Sequence, residues 1–226
     1  MGILNNFNRI RTRVAEITSI KGRDPESVKI IAVTKTLPAS TVQEAVDSGI
    51  SLLGESRIQE ARSKFVEIKG GYTLHMVGHL QSNKSRDAVR LFDLIHSIDR
   101  DTTAEAVNAE AEKAGKKQKI LLQVKTSGEE TRSGIEPGGL EGLVERVLGM
   151  KNLELLGLMT IAPFTEDGDL VRKSFRDAGE LLCRINSGFG LSLAELSMGM
   201  SGDFEIAVEE GSTMLRIGTA IFGSRS

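Results

Sequence analysis

Eight times along its 226 residues this chain alternates a short apolar or β-branched run with a stretch of helical periodicity. The runs fall at residues 28–33, 51–54, 73–77, 94–98, 119–124, 153–159, 193–197 and 213–217. Strands alternating with helices imply parallel pairing through right-handed crossovers. Eight units with no linker between them favour closure into a barrel. An open doubly wound sheet would have fewer strands and a single switch point. The expected fold is α/β: a (β/α)8 TIM barrel forming one domain over residues 1–226, with an additional N-terminal helix. That helix is read from Ile3, Phe7, Ile10, Val14 and Ile17, which share one face, and Gly22 stops it. Ser40-x-x-Gln43 and Thr102-x-x-Glu105 have the form of capping boxes, and Gly49, Gly115 and Gly211 are placed as left-handed helix exits.

Composition narrows the function classes. The 29 Lys and Arg residues against 31 Asp and Glu give a net charge of −2, so the basic excess that a nucleic-acid surface needs is missing. No apolar run approaches the ~18 residues of a membrane span, and the N-terminus lacks the charged start and apolar core of a signal peptide. A single cysteine, Cys183, rules out a disulfide framework within the chain and fits a reducing compartment. The expectation is a cytoplasmic protein without nucleic-acid or membrane partners.

Barrel active sites form where strands end. The polar residues there are Thr34-Lys35-Thr36, Glu55-Ser56-Arg57, the stretch from Gly78 to Lys84, Asp99, the stretch from Ser197 to Asp203, and Arg216-Ile217-Gly218-Thr219. In the last two loops, glycines permit close approach of the backbone to an anion. Hydroxyls of Ser201 and Thr219 add donors, and a helix start after Ser201 would offer free N–H groups. These are also the loops where barrels often hold a phosphate; tight strand-to-helix turns alone would need the same glycines. Lys35 ends an apolar run, and a lysine against apolar walls yields the neutral amine that attacks an aldehyde. A lysine reaching into solvent from a strand end is the ordinary alternative. His75, His79 and His96 lack metal-ligand spacing; the first and last read as hydrogen-bonded barrel residues and His79 as a residue of the mouth. Cys183 reads as a packing residue in a helix, and Met159, Met198 and Met200 as core or pocket wall.

The ordered motifs IAVTKT, GESRIQEA, HMVGHLQSNK, IHSID, TRSGI, GLMTIAP and LSMGMSGDFEIAVEEGSTMLRIGTAIFGSR span nearly the whole chain. In this set the sequence resembles the pyridoxal phosphate homeostasis protein family, whose fold is similar to the barrel domain of alanine racemase. The resemblance implies pyridoxal 5′-phosphate (PLP) held as an imine on Lys35. It implies a phosphate cradle of Ser201, Gly218 and Thr219 with Ser197 nearby, Arg216 facing the pyridine nitrogen, and Met198 lining the surroundings of the ring. Ser56 stands beside the ring where the family usually has Asn. Lys125 also replaces an Asn, making it a rival attachment site, and Arg132 stands where many members have Lys.

The implied function is a carrier or buffer of PLP that can pass it to apo-enzymes, working as a monomer or weak homodimer. The alternative is a weak amino-acid racemase. Arginine opposite the ring nitrogen leaves that nitrogen unprotonated and weakens the electron sink. The chain's one tyrosine, Tyr72, sits at the end of the barrel remote from the site, so a second racemisation base is missing. A cofactor-free aldolase acting through Lys35 is the third reading.

Overall fold

The structure, a computed structural model, describes residues 2–127 and 133–223; Arg132 lies outside them. Eight parallel strands close into a barrel in sequence order: β1 (Lys29–Val33), β2 (Leu52–Glu55), β3 (Thr73–Met76), β4 (Leu94–Ile98), β5 (Gln118–Gln123), β6 (Leu153–Met159), β7 (Glu195–Ser197) and β8 (Met214–Ile217). The fold is the (β/α)8 barrel expected, and each strand falls within one or two residues of its apolar run.

Side chains alternate between two layers, as the period of a strand requires. Ile31 and Val33 of β1 point inward to meet Leu94, Leu121, Met159 and Met214. Ile30 and Ala32 belong to the outer layer with Leu53, Ile95, Leu122, Leu196 and Leu215, under helix residues such as Val42, Ala61, Val107, Val144 and Phe175. Full burial of Phe175 and Val144 in that layer marks it as the main hydrophobic contribution to stability, at ~1.5–3 kcal/mol for each large side chain.

The N-terminal helix α1 (Ile3–Ile20) lies on the outside of the barrel. It buries Ile10, Val14 and Ile17 and rests against α8 (Phe204–Glu209) and α9 (Thr219–Phe222). Asn6 Nδ2 donates to Ile221 O at 2.9 Å, and Arg13 pairs with Glu205 at 2.6 Å. Gly22, Gly49, Gly115 and Gly211 all take positive φ, as their places after helices require.

Two expectations are corrected. Neither capping box forms: α2 (Ala39–Asp47) starts after Pro38 and α5 (Asp101–Lys113) after Arg100, with no side-chain cap on either. Each box serine or threonine therefore lies inside its helix, and Gln43 instead joins Asp47 and the Lys69 backbone. Cys183 is exposed, because α7 (Gly168–Phe189) turns Leu181, Leu182 and Ile185 to the barrel instead.

β7 and β8 share a single register pair, Ser197 with Met214. Side chains reinforce this seam: Ser212 Oγ lies 2.8 Å from Met198 O and 3.1 Å from Met214 O, while Arg23 donates to Ser212 O at 2.7 Å. Among the described residues no helix is long and apolar enough to cross a membrane.

Candidate functional site

A cavity of about 350 Å³ opens at the C-terminal ends of the strands, within the ~300–1,000 Å³ usual for small-molecule sites. Val33, Val77 and Ile161 give it apolar walls, and Lys35, Ser56, Ser201, Arg216, Gly218 and Thr219 supply its polar groups. Six of the eight residues expected at the site thus meet in one cavity.

The other two lie apart. Ser197 is fully buried beneath the floor, where its Oγ accepts from Arg216 NH1 at 2.7 Å. Met198 does not line the cavity. Successive residues of an extended chain face opposite ways, so with Ser197 turned inward Met198 goes to the outer hydrophobic layer, fully buried. Met200 takes the place at the wall.

Lys35 is exposed at the mouth, so protein atoms alone do not desolvate it as its place after an apolar run suggested. The rival Lys125 pairs with Glu136 at 2.8 Å and does not line the cavity. His79 is also exposed, 3.7 Å from Asp99, which Arg100 holds at 2.9 Å. Close approach matters at one wall: a Cβ on Gly78 would lie 2.1 Å from Ser56 O, so only glycine lets the loop after β3 rest on Ser56.

The end expected to hold an anion differs in detail from the sequence reading. The helix after Ser201 starts at Phe204. Backbone N–H groups of Gly218 and Ala220 also converge on Ser201 Oγ, at 3.3 and 3.2 Å. Two donors already gathered on one oxygen suit an oxyanion such as a phosphate.

The floor is cationic. Arg216 is buried; its NH1 donates to Ser197 and its NH2 to Thr160 O at 2.9 Å. Burial pushes its pKa down to about 10, so it keeps its proton at neutral pH. Ser197 Oγ also lies 2.9 Å from His96 Nδ1, and His96 Nε2 lies 3.0 Å from His75 Nδ1. Burial holds His96 well below the usual histidine range, helped by His75 and Arg216, and burial likewise takes His75 to about 4. Both rings are neutral at pH 7, and an unbroken polar chain runs from the cavity floor through the barrel. The sequence placed both histidines in the barrel but gave no sign that they back Arg216, because the link runs from His96 through Ser197, 101 residues away.

The alanine racemase N-terminal domain family matches residues 6–226. A pyridoxal phosphate homeostasis protein of Aquifex aeolicus is 37% identical over 226 residues, covering 100% of this chain and 99% of that one. The Pseudomonas aeruginosa protein of the same name is 39% identical over 224 residues, covering 99% and 96%. The chain belongs to the pyridoxal phosphate homeostasis protein family. Among solved structures, PipY of Synechococcus elongatus PCC7942 with PLP bound superposes with a TM-score of 0.84 at 37% identity, covering 93% of this chain and all of that one. Among the described residues no cluster of His, Cys, Asp and Glu could hold a metal ion.

Proposed function

We propose that this protein binds PLP in the barrel mouth and buffers or carries it in cofactor homeostasis, through Lys35. The observation that carries the reading is the meeting of three unlike groups in one cavity: an amine, a buried cation, and two backbone donors sharing one oxygen. Those groups match the three ends of PLP. The Ser201, Gly218 and Thr219 end would take the phosphate, Arg216 the ring nitrogen, Lys35 the aldehyde, and Ser56 the ring edge. Bound PLP supplies an aldehyde that amines capture reversibly. The names of the relatives and PLP in PipY support PLP as the ligand.

The chain's own groups favour holding over turnover. Arg216 stays protonated and donates, and Ser197 and Thr160 O fix its plane. A permanent donor at that position withholds the protonated pyridine that carbanion chemistry uses. Tyr72 donates to Phe65 O just before β3, at the barrel's opposite end, and does not serve as a second base. The protein acts in the cytoplasm as a monomer or weak homodimer, with apo-enzymes that use PLP as recipients.

Borohydride reduction of PLP-loaded protein followed by peptide mass mapping tests the reading. A pyridoxyl adduct on the Lys35 peptide, absent in Lys35→Ala, is the expected result. An adduct confined to Lys125, or none above background, refutes the assignment.

A further inference from the structure

The strand-end loop that carries Lys35 rests on a buried charged cluster that cofactor binding as described leaves without a task. Lys64 and Glu60 lie four residues apart on α3 (Ile58–Lys64), so both reach toward that loop. Lys64 Nζ is buried and donates to Thr34 O at 2.8 Å, to Glu55 Oε2 at 2.8 Å and to Glu60 Oε1 at 3.0 Å. Glu55 is fully buried; its Oε2 accepts from Thr34 Oγ1 at 3.2 Å and its Oε1 from Ser56 N at 2.8 Å. Glu60 Oε1 accepts from the backbone N–H of Thr36.

The residues before and after Lys35 are therefore both gripped, Thr34 by Lys64 and Glu55, Thr36 by Glu60. Thr36 is also the only described non-glycine residue with positive φ, at 64°. A β-branched residue avoids that region, and such a conformation persists when its surroundings impose it. Here two contacts hold the turn: Glu60 accepts from Thr36 N, and Leu37 N donates to Thr34 O at 3.1 Å, with Lys35 between them lining the cavity.

We propose that Glu60 and Lys64 are positioning residues: they latch the loop in the turned conformation that presents the Lys35 amine for capture of PLP. In that step the neutral amine adds to the aldehyde carbon and water leaves, with no change of oxidation state. The proposal rests on the assignment of Lys35. The buried pair of Lys64 with Glu55 holds the fold as well as the loop, since breaking it would strand a buried charge. Glu60 is the partner that can be removed without that cost.

The test mixes PLP with full-length Glu60→Ala and follows the capture rate by absorbance, the melting temperature of the PLP-free protein, and the borohydride adduct. Misorienting a reactive group by about 1 Å can change a rate up to ~10²-fold, and Glu60→Ala is expected to slow capture by roughly tenfold or more. Thr36→Gly in the same chain should restore the rate, because glycine holds a φ of 64° without help. Recovery through Thr36→Gly is an effect that a purely structural role for Glu60 would not produce. An unchanged capture rate in Glu60→Ala, or a slowed rate that Thr36→Gly leaves slow, overturns the latch. Failure of the wild-type protein to give a Lys35 adduct overturns the attachment site itself, so the two outcomes are separate.

Discussion

Acidification should destabilise this barrel through its two interior histidines before most carboxylates titrate. His75 is held at about 4 in the folded chain against the ordinary histidine value of 6.5. Burial is the first cause, offset in part by Asp93 and Glu195 and reinforced by Lys29 and Lys119. Above pH 6.5 both folded and unfolded His75 are neutral and the group contributes no pH dependence. Between 6.5 and 4 the unfolded chain binds the proton and the folded chain refuses it, so stability falls as pH falls. Integrated from pH 7 to pH 5 this amounts to about 2 kcal/mol, approaching roughly 3 kcal/mol below pH 4. His96, fully buried and lowered in the same direction, adds to the loss. Urea unfolding at pH 7 and pH 5 measures it, with His75→Asn as the comparison. Asn can keep an acceptor toward His96 but does not titrate, so its loss between the two pH values should be smaller by about 2 kcal/mol. Equal losses in the two proteins would show that His75 does not carry the acid sensitivity.

Two further substitutions probe the cavity walls. Ser201→Ala removes the oxygen on which Gly218 N and Ala220 N converge. Equilibrium titration should show PLP binding weakened about tenfold, the scale of one hydrogen bond to a charged group, with little change in melting temperature. Gly78→Ala drives a Cβ to within 2.1 Å of Ser56 O, and overpacking of that kind costs about 1–3 kcal/mol. Thermal unfolding should register the loss, and PLP titration should show weaker binding as Ser56 is displaced; wild-type behaviour in both would mean that the two loops are free to part.

The barrel was legible because its signal is local. Each apolar run is short and is set off from the next by a helical stretch, and period-two alternation sets which side chains enter the interior. The same locality delivered Lys35, Ser201, Arg216, Gly218 and Thr219 to the mouth, since Arg216 lies near the end of β8 and the others come within a few residues after a strand. Met198 faces away from the cavity, and Met200, two residues on, lines it instead. β7 ends at Ser197, and only the pairing of that strand shows that Ser197 points in and its neighbour out. The capping boxes failed because the chain enters α2 through Pro38 and α5 through Arg100, each two residues ahead of its box. The support for Arg216 was out of reach altogether: His75, Ser197 and Arg216 come from β3, β7 and β8, and His96 of β4 joins them only after closure.

The seam between β7 and β8 carries one register pair, while Ser201 and Gly218, proposed to hold a phosphate, flank it at the mouth. A phosphate spanning those loops would act as a rivet across the shortest junction of the barrel. Occupancy would then be recorded in the mechanical cohesion of the whole cylinder, with melting temperature rising logarithmically with free ligand and amide exchange slowing most on both sides of that junction. A recipient able to pry the loops apart would loosen the phosphate grip first and leave the amine end for last.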